Sequence, residues 1–237
     1  MATSAQERTV RMTFWQKMAI GLALFIAFGF AQFSARGFVD FGHIPPYIHL
    51  HALVMLGWLG LTVAQPMLAE RRDRALHRKL GWIGAVLAGL VVVLGSFVAI
   101  KIIAAHREPP FFTPPYFLAL TQVGLLVFAG LVAAAIARRR ETQWHRRLII
   151  GSTVLLMEPA LGRLLPMPLI MPWGEWVVLV VQLGTLAIVA GHDRRTLGGV
   201  HPATIACMAV VTLTHVVVEL LAIAPPVVAL AARIGGA

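Results

Sequence analysis

The residues able to do chemistry in this 237-residue chain are ionisable groups set inside apolar runs: His49 and His51, Glu158 followed by Arg163, Glu175, and the pair His215 and Glu219. On insertion scales a charge at the bilayer centre costs about 2.5–3.5 kcal/mol, so such residues persist where they work or where they satisfy one another. His215 and Glu219 stand at i, i+4 with Thr212 on the same helical face, a spacing that can grip one metal ion or exchange one proton. A zinc or iron site takes three or four converging nitrogen or oxygen ligands, and His49 or His51, His215, Glu219 and Glu158 could supply them. Glu158, Glu219 and Arg163 are also the candidates for catalytic acid–base or electrostatic work. Arg163 would neutralise a carboxylate from another helix, since Glu158 sits about 140° away round its own helix. With a rise of about 1.5 Å per residue, all these groups fall in the outer half of their spans. The expectation is a common cavity lined by His215, Glu219 and Glu158, with His51 or His49 at its wall. The plainer alternative is a set of separate interhelical hydrogen bonds.

A second set of histidines, His77, His145 and His201, lies at the inner ends of the apolar runs beside Arg, Lys or Pro. Ala69–Leu80 aligns without a gap on Ala137–Leu148, pairing His77 with His145; Asp193-Arg194-Arg195 followed by His201 is a weaker third copy. Neutral imidazoles there could cap helix starts while their basic neighbours meet anionic head groups. The sharper reading makes His77 and His145 the paired axial ligands of one inner haem.

The stretch His51-x3-Met55-x2-Trp58, Gln65, the Arg cluster, His77-Arg-x-Leu-Gly81, His145-Arg-Arg-Leu-Ile and Arg163 resembles an uncharacterised family of bacterial multi-pass membrane proteins. A fainter similarity is to the ascorbate-reducible transmembrane di-haem cytochromes, which have a His-x3-Met helix, then a basic loop and a His opening the next helix. That resemblance implies haem b on His51, His77, His145 and His215. The inner pair would be His77 with His145. An outer haem would use His51 with His215, because the fourth span carries no histidine.

The elements that must position these residues follow from composition. The chain is 59% hydrophobic and 13% charged, with mean hydropathy +0.82, against roughly 25% charged in soluble domains. Seven apolar spans are read, roughly Met18–Ala35, Tyr47–Ala69, Leu80–Ala104, Pro115–Ala137, Leu148–Leu165, Pro172–Ala190 and Ala203–Ala224, each long enough to cross a bilayer or nearly so. Of the 20 Lys and Arg, 15 fall on the side of the N-terminus and 5 on the other, which by the positive-inside rule puts the N-terminus in the cytoplasm and the C-terminus outside. The fold expected is an all-α transmembrane bundle of one leading helix and three hairpins. Residues 1–17 would be a cytoplasmic lead, 18–224 the spans and 225–237 a short external tail, in a bacterial inner membrane. The first span reads as a retained helix rather than a cleaved signal, for want of a small-x-small site after it.

The net charge of +10 is therefore topology and lipid contact, not a nucleic-acid surface. Cys207 is the single cysteine, which excludes a disulfide scaffold. Lys17, Lys79 and Lys101 are the only lysines, none of them in the seventh span, so a rhodopsin-like Schiff base there is not available. Walker A, dinucleotide-binding and His-Glu-x-x-His motifs are absent. Three functions are consistent with the sequence: a membrane redox protein carrying b-type haem or another metal, an intramembrane enzyme using a metal or carboxylates on a lipid-like substrate, and a proton-coupled carrier or assembly subunit. Anionic lipids, a second copy of the chain or a redox protein would be the partners.

Overall fold

The computed structural model describes residues 12–236, and every regular element in that range is helical. Arg8 and Arg11, counted among the inner charges, lie outside it. The helices are α1 (Phe14–Phe33), α2 (Pro46–Glu70), α3 (Arg74–Ala104), α4 (Pro114–Ala137), α5 (Thr142–Leu155), α6 (Glu158–Leu164), α7 (Met167–Ile170), α8 (Gly174–Leu197), α9 (Pro202–Ala222) and α10 (Pro225–Gly235). Six of them, α1, α2, α3, α4, α8 and α9, are long and apolar enough to cross a membrane, and the chain is a multi-pass membrane protein.

Their starts follow from local chemistry. Thr13 and Gln16 form a reciprocal capping box on α1. Asp73 accepts the Leu76 N–H at 3.0 Å to open α3. Prolines at the first turns of α2, α4, α9 and α10 occupy positions whose N–H has no helical partner. Leu53, Leu126, Val180 and Leu213 point outward, as an apolar solvent allows, so the helices are held together by close packing and polar contacts rather than by exclusion of water. At Gly29 the backbones of α1 and α6 come so near that an added Cβ would lie 2.8 Å from Ala160 Cβ.

The central helix is α4, which packs on α3, α5, α9 and α10. Trp58 is buried and meets Phe128 of α4 edge-on at 5.0 Å. The segment after 224, expected as a tail, forms α10 and folds back on α3 and α4, burying Ala231 against Ile103 and Leu118.

The fifth predicted span is not one helix. α5 stops at Leu155 and α6 begins at Glu158, because Pro159 lacks the N–H that a continuous helix would direct at Leu155, and its ring would strike that carbonyl. Leu156 and Met157 close the end of α5 with tight bonds to Thr153 O and Val154 O, both 3.1 Å. The broken pair runs alongside α1 in the same direction. Arg146 and Arg147 lie over Trp15 at its start, and the Arg163 guanidinium lies over Phe30 and Phe33 at its end, with Gln32 Nε2 donating to Arg163 O at 3.1 Å.

Candidate functional site

Near the break between α5 and α6, α8 brings in a polar side chain. Gln182, 1% exposed, donates Nε2–H to Val154 O at 3.3 Å. A carbonyl oxygen only accepts, so this bond orients the amide and turns Oε1 toward His215 Nε2, 2.9 Å away. Oε1 also only accepts, so His215 Nε2 must carry the hydrogen. The other ring nitrogen, Nδ1, is then left facing Glu175 Oε1 at 2.5 Å. The contact is within ion-pair distance, His215 counting as a cation only when protonated. Its angle departs from that of a hydrogen bond, and neither Glu175 oxygen has a hydrogen-bond donor among the described residues. Both side chains are sealed in, at 3% and 4% exposure.

Around this pair stand further acids. The buried Tyr116 hydroxyl, from the first turn of α4, faces Glu175 and Glu219 without hydrogen-bond geometry to either. Glu158, at the helix break, has Glu175 and then Arg163 as its electrostatic neighbours. Of the expected set, His215 is in contact with Glu175, and Glu158 and Glu219 lie within electrostatic reach of it. Cys207 lies elsewhere, buried, with Sγ on Arg147 O at 3.6 Å.

Other expected participants are placed differently. His49 is exposed, and His51 sets its ring edge against Gly95 of α3 with Nδ1 buried and unpartnered. α2 packs chiefly on α1 and α3, and α9 on α4, α8 and α5. The metal set His49, His51, His215, Glu219 and Glu158 is accordingly not assembled: among the described residues no three His, Cys, Asp or Glu converge as metal ligands. Arg163 donates to Pro159 O at 2.7 Å and stacks on α1, and Glu158 of its own short helix, not a carboxylate of another, is the acid it acts on.

At the inner end, His77 Nδ1 lies 3.4 Å from Gln65 O and His145 Nδ1 lies 2.8 Å from Ala135 O. Both bonds run back to the preceding helix, so Nδ1–H donates and Nε2 keeps a free lone pair. His201 behaves as the capping reading expects: its Nδ1 accepts from Ala203 N at 3.1 Å. Partial burial and the nearby Arg147 charge hold this imidazole below its ordinary pKa, in keeping with the neutral ring that a cap requires.

Arg147 and Asp193, read from the sequence as loop charges, form a fully buried ion pair. Arg147 Nε lies 3.2 Å from both Asp193 oxygens, and Gln143 holds the outer nitrogen at 2.6 Å. Thr204 Oγ1 and His201 N donate to the second Asp193 oxygen at 2.6 and 3.2 Å. Glu175, Gln182 and Asp193 could have been found together: at i, i+7 and i+18 they lie on one face of one helix. Read one by one, each looks like an isolated polar residue. Arg147 aligns with exposed Lys79 in the repeat, which concealed its burial.

Compared with protein-family models, with curated proteins and with solved structures, the chain finds no significant match. The functional reading therefore rests on the residues themselves.

Removing one member of a buried ion pair strands the other, at a cost of about 3–5 kcal/mol, whereas replacing both by apolar groups is often close to neutral. Asp193→Ala should lower the melting temperature in detergent sharply, and Arg147→Met with Asp193→Leu should recover most of the loss. A double variant as unstable as the single one would refute this account.

Proposed function

We propose that this protein is a proton-coupled carrier of a bacterial inner membrane, with Glu175 and His215 as its proton-exchanging pair. The observation that carries the reading is the chain Val154 O, Gln182, His215, Glu175, whose donor–acceptor order puts the hydrogen on His215 Nε2 and leaves Nδ1 against the Glu175 carboxyl. An imidazole and a carboxyl that share a proton can pass it on to a third group, and Glu219, Glu158 and Tyr116 stand beside them. A helix interrupted inside the bundle next to ionisable groups is the arrangement by which many carriers form a site at membrane depth. In difference infrared spectra the parent should show a pH-dependent protonated-carboxyl band that Glu175→Gln removes. An unchanged spectrum in the variant would reject the pair as the exchanging centre.

The same reading takes the membrane to be crossed seven times, with α5 and α6 together as the fifth crossing. Their parallel course along α1 supports this, as does the basic loop between α4 and α5, which the positive-inside rule keeps cytoplasmic. The N-terminus is then inside, and the inner Arg-rich loops meet anionic head groups. Reporter fusions after Arg74, Arg140 and Arg195 should read cytoplasmic and one after Pro110 external. A cytoplasmic signal at Pro110 or an external one at Arg140 would overturn the topology.

A second reading, a redox protein with b-type haem, is favoured by one observation. His77 and His145 both spend Nδ1–H on a backbone carbonyl, the bond that leaves Nε2 available as a ligand. They are also within electrostatic reach of each other. These two residues would hold the haem, which would supply one-electron chemistry, and a redox protein would be the partner. The purified protein would then show a Soret band lost in His77→Ala and in His145→Ala. A colourless parent protein would return both residues to anchoring the helix ends.

A further inference from the structure

At the end of the bundle opposite the Arg-rich loops, α3 ends, α4 begins and α10 folds back on both, leaving a cavity of about 210 Å³ open on one side. Ile103, Pro114, Pro115, Val228 and Ala232 line it, and the two prolines contribute no N–H to its wall. An apolar cavity of about 150 Å³ is enough to hold benzene, so this one has room for a segment of hydrocarbon. The only polar side chain in the wall is the imidazole of His106.

His106 holds a backbone conformation that its residue type does not favour. It follows the C-cap of α3 with φ +49° and closes a Schellman turn: its N–H bonds to Ile103 O and that of Arg107 to Ile102 O, both at 3.0 Å. Glycine is the usual residue at such a position, because a Cβ is crowded in the left-handed region. The exposed ring lies on Gly235 of α10, so near that a Cβ there would come within 3.2 Å of Cε1. The imidazole is thereby set at the rim of the cavity, between α3 and α10. Two exposed arginines stand at the same end: Arg107, next in the chain, and Arg233, in the last turn of α10 two residues before Gly235. Neither belongs to an ion pair among the described residues. They are two of the five basic residues counted on the side away from the N-terminus. Glu108, the acid of this turn, is partly buried, so the exposed charge of the rim is positive.

We propose that this corner binds one phospholipid with a net negative head group, its phosphate at His106, Arg107 and Arg233 and a segment of one acyl chain in the cavity. The occupant follows from the two features together. A wall without backbone donors takes hydrocarbon, and basic residues over it select an anion. A protein segment would bring N–H and C=O groups that this wall cannot satisfy. Ile103 lies one turn below His106 on the bilayer side, so a chain entering at the rim runs in the direction of the neighbouring lipid tails. The site is independent of the contact between Glu175 and His215.

The test is native mass spectrometry of the purified full-length protein with phosphatidylglycerol, against phosphatidylcholine carrying the same chains. One phosphatidylglycerol should stay bound, with at least fivefold higher occupancy than phosphatidylcholine. The double variant Arg107→Gln with Arg233→Gln should abolish that preference, and Ala232→Trp, which fills the cavity, should remove the bound lipid. Val228→Phe, at a position 42% exposed, serves if Ala232→Trp does not fold. Arg140→Gln, in an inner loop, should leave the occupancy unchanged and so separates this site from general attraction to basic loops. Equal retention of the two lipids, unchanged occupancy in the outer variants, or the same loss in Arg140→Gln would overturn the proposal. A lipid-free dimer that Ala232→Trp abolishes would make the cavity a contact between copies and would refute it equally.

Discussion

A backbone carbonyl can only accept a hydrogen bond, and in this bundle that rule, applied at Val154, orders the centre of the molecule. Pro159 forces the helix to end, the Gln182 amide meets the exposed end of α5, and its orientation dictates which nitrogen of His215 carries hydrogen. The second nitrogen is thereby turned to Glu175.

α8 carries the polar contacts on one face. Glu175, Gln182 and Asp193 fall in line over about 27 Å of helix, and all three are buried. Near the C-terminal end of α8, Asp193 gathers Arg147, Thr204 and the His201 N–H, tying α5 and α9 to α8. Toward its N-terminal end Glu175 and Gln182 join α8 to the same two neighbours. The two clusters differ in kind. Around Asp193 a fixed cation and several donors saturate the carboxylate, which makes it a fastening. Around Glu175 no hydrogen-bond donor reaches the carboxyl, whose close neighbour is the His215 ring.

The repeated inner loops show how one sequence motif serves two structural roles. His77 and His145 both reach back to the helix before them, as their alignment leads one to expect. The residues two positions later diverge: Lys79 is exposed, whereas Arg147 enters the core because Asp193 is there to receive it. A duplicated segment keeps its local hydrogen bonds but takes its burial from whichever helices surround it.

Apolar run length, the proline and capping residues at the helix starts and the clustering of charge were legible in the sequence by itself, because they depend on periods and neighbours within a few residues. They determined the all-helical membrane class and the ends of most helices. That Glu158, Glu219 and His215 carry unusual cost was legible too, since an ionisable residue in an apolar run is conspicuous wherever it folds. Only the tertiary structure decided the rest. It broke the fifth predicted span at Pro159, set His51 against α3 and drew Arg147 inward. Above all it put Glu175 against His215, forty residues later, as the partner the i, i+4 spacing had assigned to Glu219. The reason is physical: spacing along a helix fixes which residues share a face, but the partner of that face is set by how helices pack, and packing is an agreement among distant segments that no local pattern records.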